Sequence, residues 1–221
     1  MEEKQNYWKE LKTFRKKAEY FWEYHKWKVI IPIVVLIFAI SFISSYLEET
    51  AERALAVAIV NARDSEAAEK LIKEEYANAQ GIDVQKTPIR IESGLVYPKV
   101  MDEVAATDTV TVASIQKYTA MLTSGTIDIN ISPTWVVEEY GKADAYCSLN
   151  ALLSEEVYHN IEEKLFWCKD STGTEIPVGI YVDDKAVLGE FYDDGVPILT
   201  VSAYSGRLEE AVAFIEWFLK Q

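Results

Sequence analysis

The sequence predicts an α/β fold, a mixed sheet with helices on both faces, plus one N-terminal transmembrane helix. Three observations predict it. Residues 29–47, VIIPIVVLIFAISFISSYL, carry no charge over 19 positions, and a helix of that length spans roughly 28 Å, close to the hydrocarbon thickness of a bilayer. Beyond it, short β-rich apolar runs alternate with stretches whose apolar residues recur at helical spacing, the order that builds a sheet covered on both sides. Nine glycines and six prolines in 221 residues are too few for a hinged pair of domains, so residues 54–221 read as one compact unit.

Charge orients the molecule. Residues 1–28 hold eight Lys/Arg against five acids, whereas residues 48–221 hold 14 against 31. Basic flanks stay cytoplasmic, so the N-terminus is expected inside and the acidic domain outside. The predicted order is a basic, aromatic juxtamembrane helix at 1–28, the span at 29–47, a stalk at 48–53 and an extracytoplasmic domain at 54–221. Tyr7, Leu11, Phe14, Ala18 and Phe21 recur at helical spacing, and Trp22, Tyr24 and Trp27 crowd the membrane entrance, where aromatic rings favour the headgroup level. The apolar run exceeds the usual signal-peptide length, and Ala56-Val57-Ala58 falls inside an expected strand, so the segment reads as an uncleaved anchor. An acidic domain repels nucleic acid and anionic lipid, which excludes both as expected ligands.

The domain then unfolds in order. Residues 54–61, ALAVAIVN, form a short apolar strand. Asp64 or Ser65 caps a helix to about residue 79, with Ala68, Leu71, Ile72 and Tyr76 on one face and Gly81 after it. Residues 87–95 alternate as a second strand. Asp108 or Thr109 opens a helix to Thr123, with Val112, Ile115, Tyr118, Thr119 and Leu122 sharing a face. Residues 127–131 alternate as a strand. Ser132 is then expected to cap a helix with Pro133 in its first turn, ending by Gly141. Ser154 starts another helix through Lys164. Residues 165–169 and 176–182 pair as a hairpin around the turn at 171–174. Residues 197–203 form the last strand. The closing amphipathic helix, 207–220, is expected to face Leu208, Ala211, Val212, Ile215, Phe218 and Leu219 inward.

Four stretches in this order carry a family resemblance: Ser114-Ile-Gln-Lys117 through Gly125-Thr-Ile-Asp128-Ile-Asn-Ile131; Ala145-Tyr-Cys-Ser-Leu149-Asn-Ala-Leu152-Leu-Ser-Glu-Glu; Glu175-Ile-Pro177-Val-Gly179-Ile; and Arg207-Leu-Glu-Glu-Ala211-Val-Ala-Phe214-Ile-Glu-Trp-Phe-Leu. Residues 110–220 resemble the extracellular solute-binding proteins of ABC transporters. The resemblance implies an extracytoplasmic α/β lobe that captures a solute; the aromatics, hydroxyls and carboxylate at the strand ends suit a neutral polar one such as a sugar. This domain has the size of a single lobe, with a membrane anchor in place of a lipid. The expected role is therefore an interaction module or accessory subunit of a membrane complex, with a membrane-protein partner; the alternative is a receptor that captures a small polar ligand for a transporter or sensor.

In an α/β sheet ligands gather at the carboxyl ends of strands. That rule nominates Ser132, Thr134 and Trp135, then Tyr181 and Asp183, then Tyr204 and Ser205, as a polar and aromatic mouth. The plainer alternative assigns Ser132 or Thr134 to a helix cap and Trp135 to the core. Asp183-Asp184 and Asp193-Asp194 lack the alternating oxygen ligands of a calcium loop, so no metal is expected. No glycine loop of phosphate-binding form is present, and no cofactor is expected. Of two histidines only His159 lies outside, with no nucleophile motif near it, so an enzyme is not expected. Cys147 and Cys168 match no metal spacing and either pair or stay as half-buried thiols.

Overall fold

The computed structural model describes residues 31, 32, 36, 53–63, 65–100, 108–182, 188, 191, 192 and 196–220. The chain divides into two compact units, Met1–Ala51 and Glu52–Gln221. In the first, Ile31, Pro32 and Leu36 are helical and exposed. The rest of the expected span and the tail before it lie outside the described residues, among which no helix is long and apolar enough to cross a membrane.

The second unit is built on six strands: β1 (Leu55–Val60), β2 (Ile89–Leu95), β3 (Ile129–Ser132), β4 (Leu165–Lys169), β5 (Glu175–Tyr181) and β6 (Ile198–Val201). Their order across the sheet is β2-β1-β3-β6-β5-β4. β1 runs parallel to β2 and β3, whereas β6 is antiparallel to both β3 and β5, and β4 to β5. The mixed sheet thus has a parallel half and an antiparallel half.

Helices cover both faces, as the alternation of elements requires. α1 is continuous but mixed: Ser65–Leu71 is α-helical, Ile72–Tyr76 is a π turn and Ala77–Gln80 returns to α. The others are α2 (Thr109–Thr123), α3 (Thr134–Gly141), the single turn α4 (Leu149–Leu152), α5 (Glu155–Asn160) and α6 (Leu208–Phe218). Asp108 caps α2 by accepting from Thr111 N–H, and Ser154 caps α5 by accepting from Val157 N–H. On one face, Ile72 and Tyr76 of α1 meet Phe214, Ile215 and Trp217 of α6 over Val57, Ile131 and Leu199. The Tyr76 ring stands edge-on to Phe214 and Trp217, with centroids 5.0 and 5.3 Å apart. On the other face, Tyr118 and Leu122 of α2 and Val136 and Val137 of α3 pack over Ala58, Val60 and Ile198.

Asp128 and Asn130 are as buried as Ile129 and Ile131, because helices cover both sides of β3. Two expectations are corrected. Ser132 is the last residue of β3 and does not cap α3, whose N-cap is Pro133 without a side-chain hydrogen bond. On α6 the buried stripe is rotated toward Phe214 and Trp217, and Leu208 is exposed, because the aromatic pair fills the space beside Tyr76.

Asp128 joins three strands at one end of the sheet. Its Oδ2 accepts from Ala56 N–H at 2.8 Å and its Oδ1 from the Ser205 hydroxyl at 2.6 Å. Arg53 Nε lies 3.9 Å from Oδ2, both side chains being buried. Arg53 also donates to Gly125 O at 3.1 Å, and Arg207 Nε donates to Arg53 O at 3.1 Å. Gly125 has φ +69°, and a Cβ there would lie 2.3 Å from Tyr204 O, so the close approach of this turn admits no side chain. Asp128→Ala strands the Arg53 guanidinium in a buried site and is expected to cost about 3–5 kcal/mol in urea unfolding. Asp128→Asn keeps one acceptor and should lose less. A loss below about 1 kcal/mol in the alanine variant would show that the carboxylate does not hold this end together.

Candidate functional site

The sheet has a switch point between β1 and β3. The connection leaving β1 goes to β2 on one side, and β3 lies on the other, so the crevice at their carboxyl ends is where such a sheet receives ligands. Asn61 follows β1 in the left-handed region, φ 61°. Its side-chain amide donates to Tyr97 O at 2.7 Å and its Oδ1 accepts from Tyr97 N–H at 2.8 Å, locking the chain after β2 to the end of β1. Beyond β3, Pro133 turns the chain into α3. No side chain caps that helix, so the amides of its first residues, Thr134 and Trp135, stand at its open end. Trp135 is half-buried. Lys99 Nζ sits 5.5 Å from its ring centroid, within cation–π range. Its indole Nε1 is buried without a hydrogen-bond partner among the described residues.

The seven nominated residues do not form one mouth. Ser132 pairs with Ile198, and Ile198 with Tyr181, so Ser132, Thr134, Trp135 and Tyr181 share one end of the sheet. Tyr204 and Ser205 follow β6, which runs antiparallel to β3 and therefore ends beside Ile129, at the opposite end. There Ser205 serves the Asp128 joint, donating to the carboxylate and accepting from Arg207 N–H at 2.9 Å. Tyr204 is exposed there. Asp183 lies outside the described residues, as do the pair Asp193-Asp194 and Asp184. Ser132 is fully buried, and Tyr181 is exposed with its ring edge-on to Phe166 at 5.5 Å. Sequence reasoning missed Asn61 and Lys99; Asn61 is the last residue of an expected strand and Lys99 follows Pro98, which was the available signal.

Beneath the mouth runs a buried polar seam. Asn130 pairs across the sheet with Thr200, with Ala58 and Gly179 on either side of them. Asn130 Nδ2, Ser132 Oγ and Thr200 Oγ1 find no hydrogen-bond partner of ordinary geometry among the described residues, although Ser132 lies close enough to Tyr118 to influence that phenol. Tyr118 OH lies 3.2 Å from both Asn130 Oδ1 and the Tyr146 hydroxyl. Tyr140 OH lies 2.5 Å from Thr119 Oγ1, and its ring stands edge-on to Tyr97 and Tyr118. Polar groups in such a site hold ordered water or one another.

Elsewhere the thiols are separate and free. Cys147 Sγ faces Ser202 O, Cys168 packs behind α3 against Gly141, and burial pushes both thiols up. His159 pairs with Glu162 at 2.7 Å on an exposed helix face. A cleft of 390 Å³ borders β2, and another of 550 Å³ lies between α5 and α6. No family model, no curated protein and no solved structure matches this chain.

The buried tyrosines of both faces carry a pH signature. Burial pushes up the phenols of Tyr97, Tyr118, Tyr140, Tyr146 and Tyr192, and raises Tyr76 to about 12. In the unfolded chain tyrosine ionises near pH 10, so the stability these groups contribute is intact below about pH 10. Above that value it falls as the pH climbs toward the folded values, by about 1.4 kcal/mol per pH unit for each phenol held protonated. Absorbance titration should show the late tyrosines ionising together with loss of near-UV dichroism. Ordinary titration of every tyrosine in a folded chain would refute the buried seam.

Proposed function

We propose that this chain is a membrane-tethered extracytoplasmic interaction module, an accessory subunit of a membrane complex, and that it meets its partner with the carboxyl end of the sheet. The tether rests on the uncharged run at 29–47 and the charge asymmetry on either side of it. Descent from a solute-binding-protein-like lobe rests on the four quoted stretches, and the switch point between β1 and β3 supports it.

One observation carries the reading. Trp135 offers a half-buried indole whose N–H has no partner among the described residues, and the segment that places Lys99 on its ring also exposes Val96 and Val100. Val110, at the start of α2 and 73% exposed, extends this surface, since Ser114 one turn later accepts from Val96 N–H. A half-buried tryptophan beside exposed apolar side chains suits an interface centre, with the lysine at its polar rim. The second reading, capture of a small polar ligand, is favoured by the donors gathered there: the Trp135 indole, Lys99 and the open first turn of α3.

The two readings separate in one pair of measurements on the full chain. A photo-cross-linker in place of Val110, in membranes, should yield a discrete adduct that the same group in place of Tyr204 does not. Thermal unfolding in detergent against sugars, amino acids and short peptides should stay flat. A ligand at 100 times its Kd would add about 2.7 kcal/mol; such a shift, abolished in Trp135→Ala, would replace the module by a receptor. Absence of both adduct and shift would remove the carboxyl end as the interaction surface.

A further inference from the structure

The outer edge of β2 is complementary to itself. β2 is the terminal strand of the sheet. Ala56 turns its main chain toward β3, where Asp128 receives its N–H and donates to its C=O, so Leu55, Val57 and Ile59 turn theirs toward β2. With Val57 in register with Ile91, the main-chain groups of Arg90 and Glu92 point inward, in line with Pro88 O accepting from Ala54 N–H. The N–H and C=O groups of Ile89 and Ile91, which precede the register shift, therefore point away from the sheet. The 390 Å³ cleft beside this strand reaches inward, since Ala56 and Val57 of β1 and Thr126 and Ile127 line it together with Arg90 and Glu92.

We propose that two copies of this chain join edge to edge through β2, antiparallel, about a two-fold axis at Ile91. In that register Ile91 exchanges main-chain hydrogen bonds with its own counterpart, and Ile89 lies opposite Ser93 of the second copy. Arg90 then faces Glu92 of the other copy twice over, in the non-hydrogen-bonded positions where side chains come closest. Arg90 makes no ion pair among the described residues, and Glu92 is held by Lys117 at 2.5 Å. Centring the axis on Arg90 would set Arg90 against itself, and centring it on Glu92 would oppose two carboxylates, so charge selects the Ile91 register. The strand is bounded for such a pairing. At one end it begins at Ile89, directly after Pro88. At the other the register with β1 shifts by one residue at Ser93-Gly94, where Gly94 has φ +69°. Glu69, bonded to the Ser93 hydroxyl and to Lys73, places charge beside the edge, which disfavours strands of other sequence. This surface is separate from the carboxyl end of the sheet, so the dimer and the interaction module stand or fall independently.

The test uses the full chain in detergent. Sedimentation over a concentration series is expected to show a monomer–dimer equilibrium. Arg90→Glu and Glu92→Arg should each weaken it roughly tenfold, and the double exchange should restore it. Hydrogen exchange at Ile89 and Ile91 should slow as the dimer fills, since these amides face away from β1, the one strand that pairs with β2 among the described residues. A chain that stays monomeric throughout, or a dimer indifferent to both single reversals, overturns the proposal. Should a charge variant fail to fold, exchange in the unsubstituted chain decides: fast exchange at those amides in the concentrated sample also overturns it.

Discussion

The carboxylate of Asp128 is the joint on which the sheet depends. β1, β3 and the turn after β6 come from three distant parts of the sequence, and one buried side chain accepts hydrogen bonds from two of them while belonging to the third. Arg53 brings the compensating charge and at the same time fixes where the chain enters β1. A buried carboxylate without that partner would be strongly unfavourable. The geometry of the first strand is therefore tied to a residue in the chain leading into it. The switch point lies at the far end of the same strands, so the joint sets the alignment of the carboxyl ends without taking part in them.

Much of the architecture was legible in the residues. Helix boundaries followed from local chemistry: Asp108 and Ser154 cap where their side chains reach an amide of the first turn. The hairpin of β4 and β5 and the burial of β1 followed from short-range patterns. What was hidden is relational. Nothing in ILTV announces that β6 runs antiparallel to β3, and that one fact separates Tyr204 and Ser205 from Trp135. Likewise, the polar–apolar alternation around Asn130 looks like a half-exposed strand, and only the docking of α2 and α3 makes it buried. Ser132 illustrates the same limit: Ser-Pro is a cap signal locally, but strand pairing with Ile198 claims the serine first.

The candidate site was half visible for a related reason. Trp135 and Thr134 follow directly from a strand's end, which sequence can mark. Lys99 reaches the same indole from a different connection, and Asn61 works by bridging to Tyr97 across strands. Such pairs exist only once the sheet order is set. The π turn in α1 is a further feature without a sequence mark; it carries Tyr76 onto Phe214 and Trp217, where a regular helix would place its side chains differently.

The sheet divides the domain into two interiors of unlike character. On the side of α1 and α6 the contacts are hydrocarbon and aromatic ring. On the side of α2 and α3 an apolar layer is threaded by phenols, an amide and hydroxyls. Water can enter the first side only against hydrocarbon, whereas on the second Asn130, Ser132 and Thr200 offer it buried polar partners. The layer that underlies Trp135 is therefore the one of the two equipped to take up internal water.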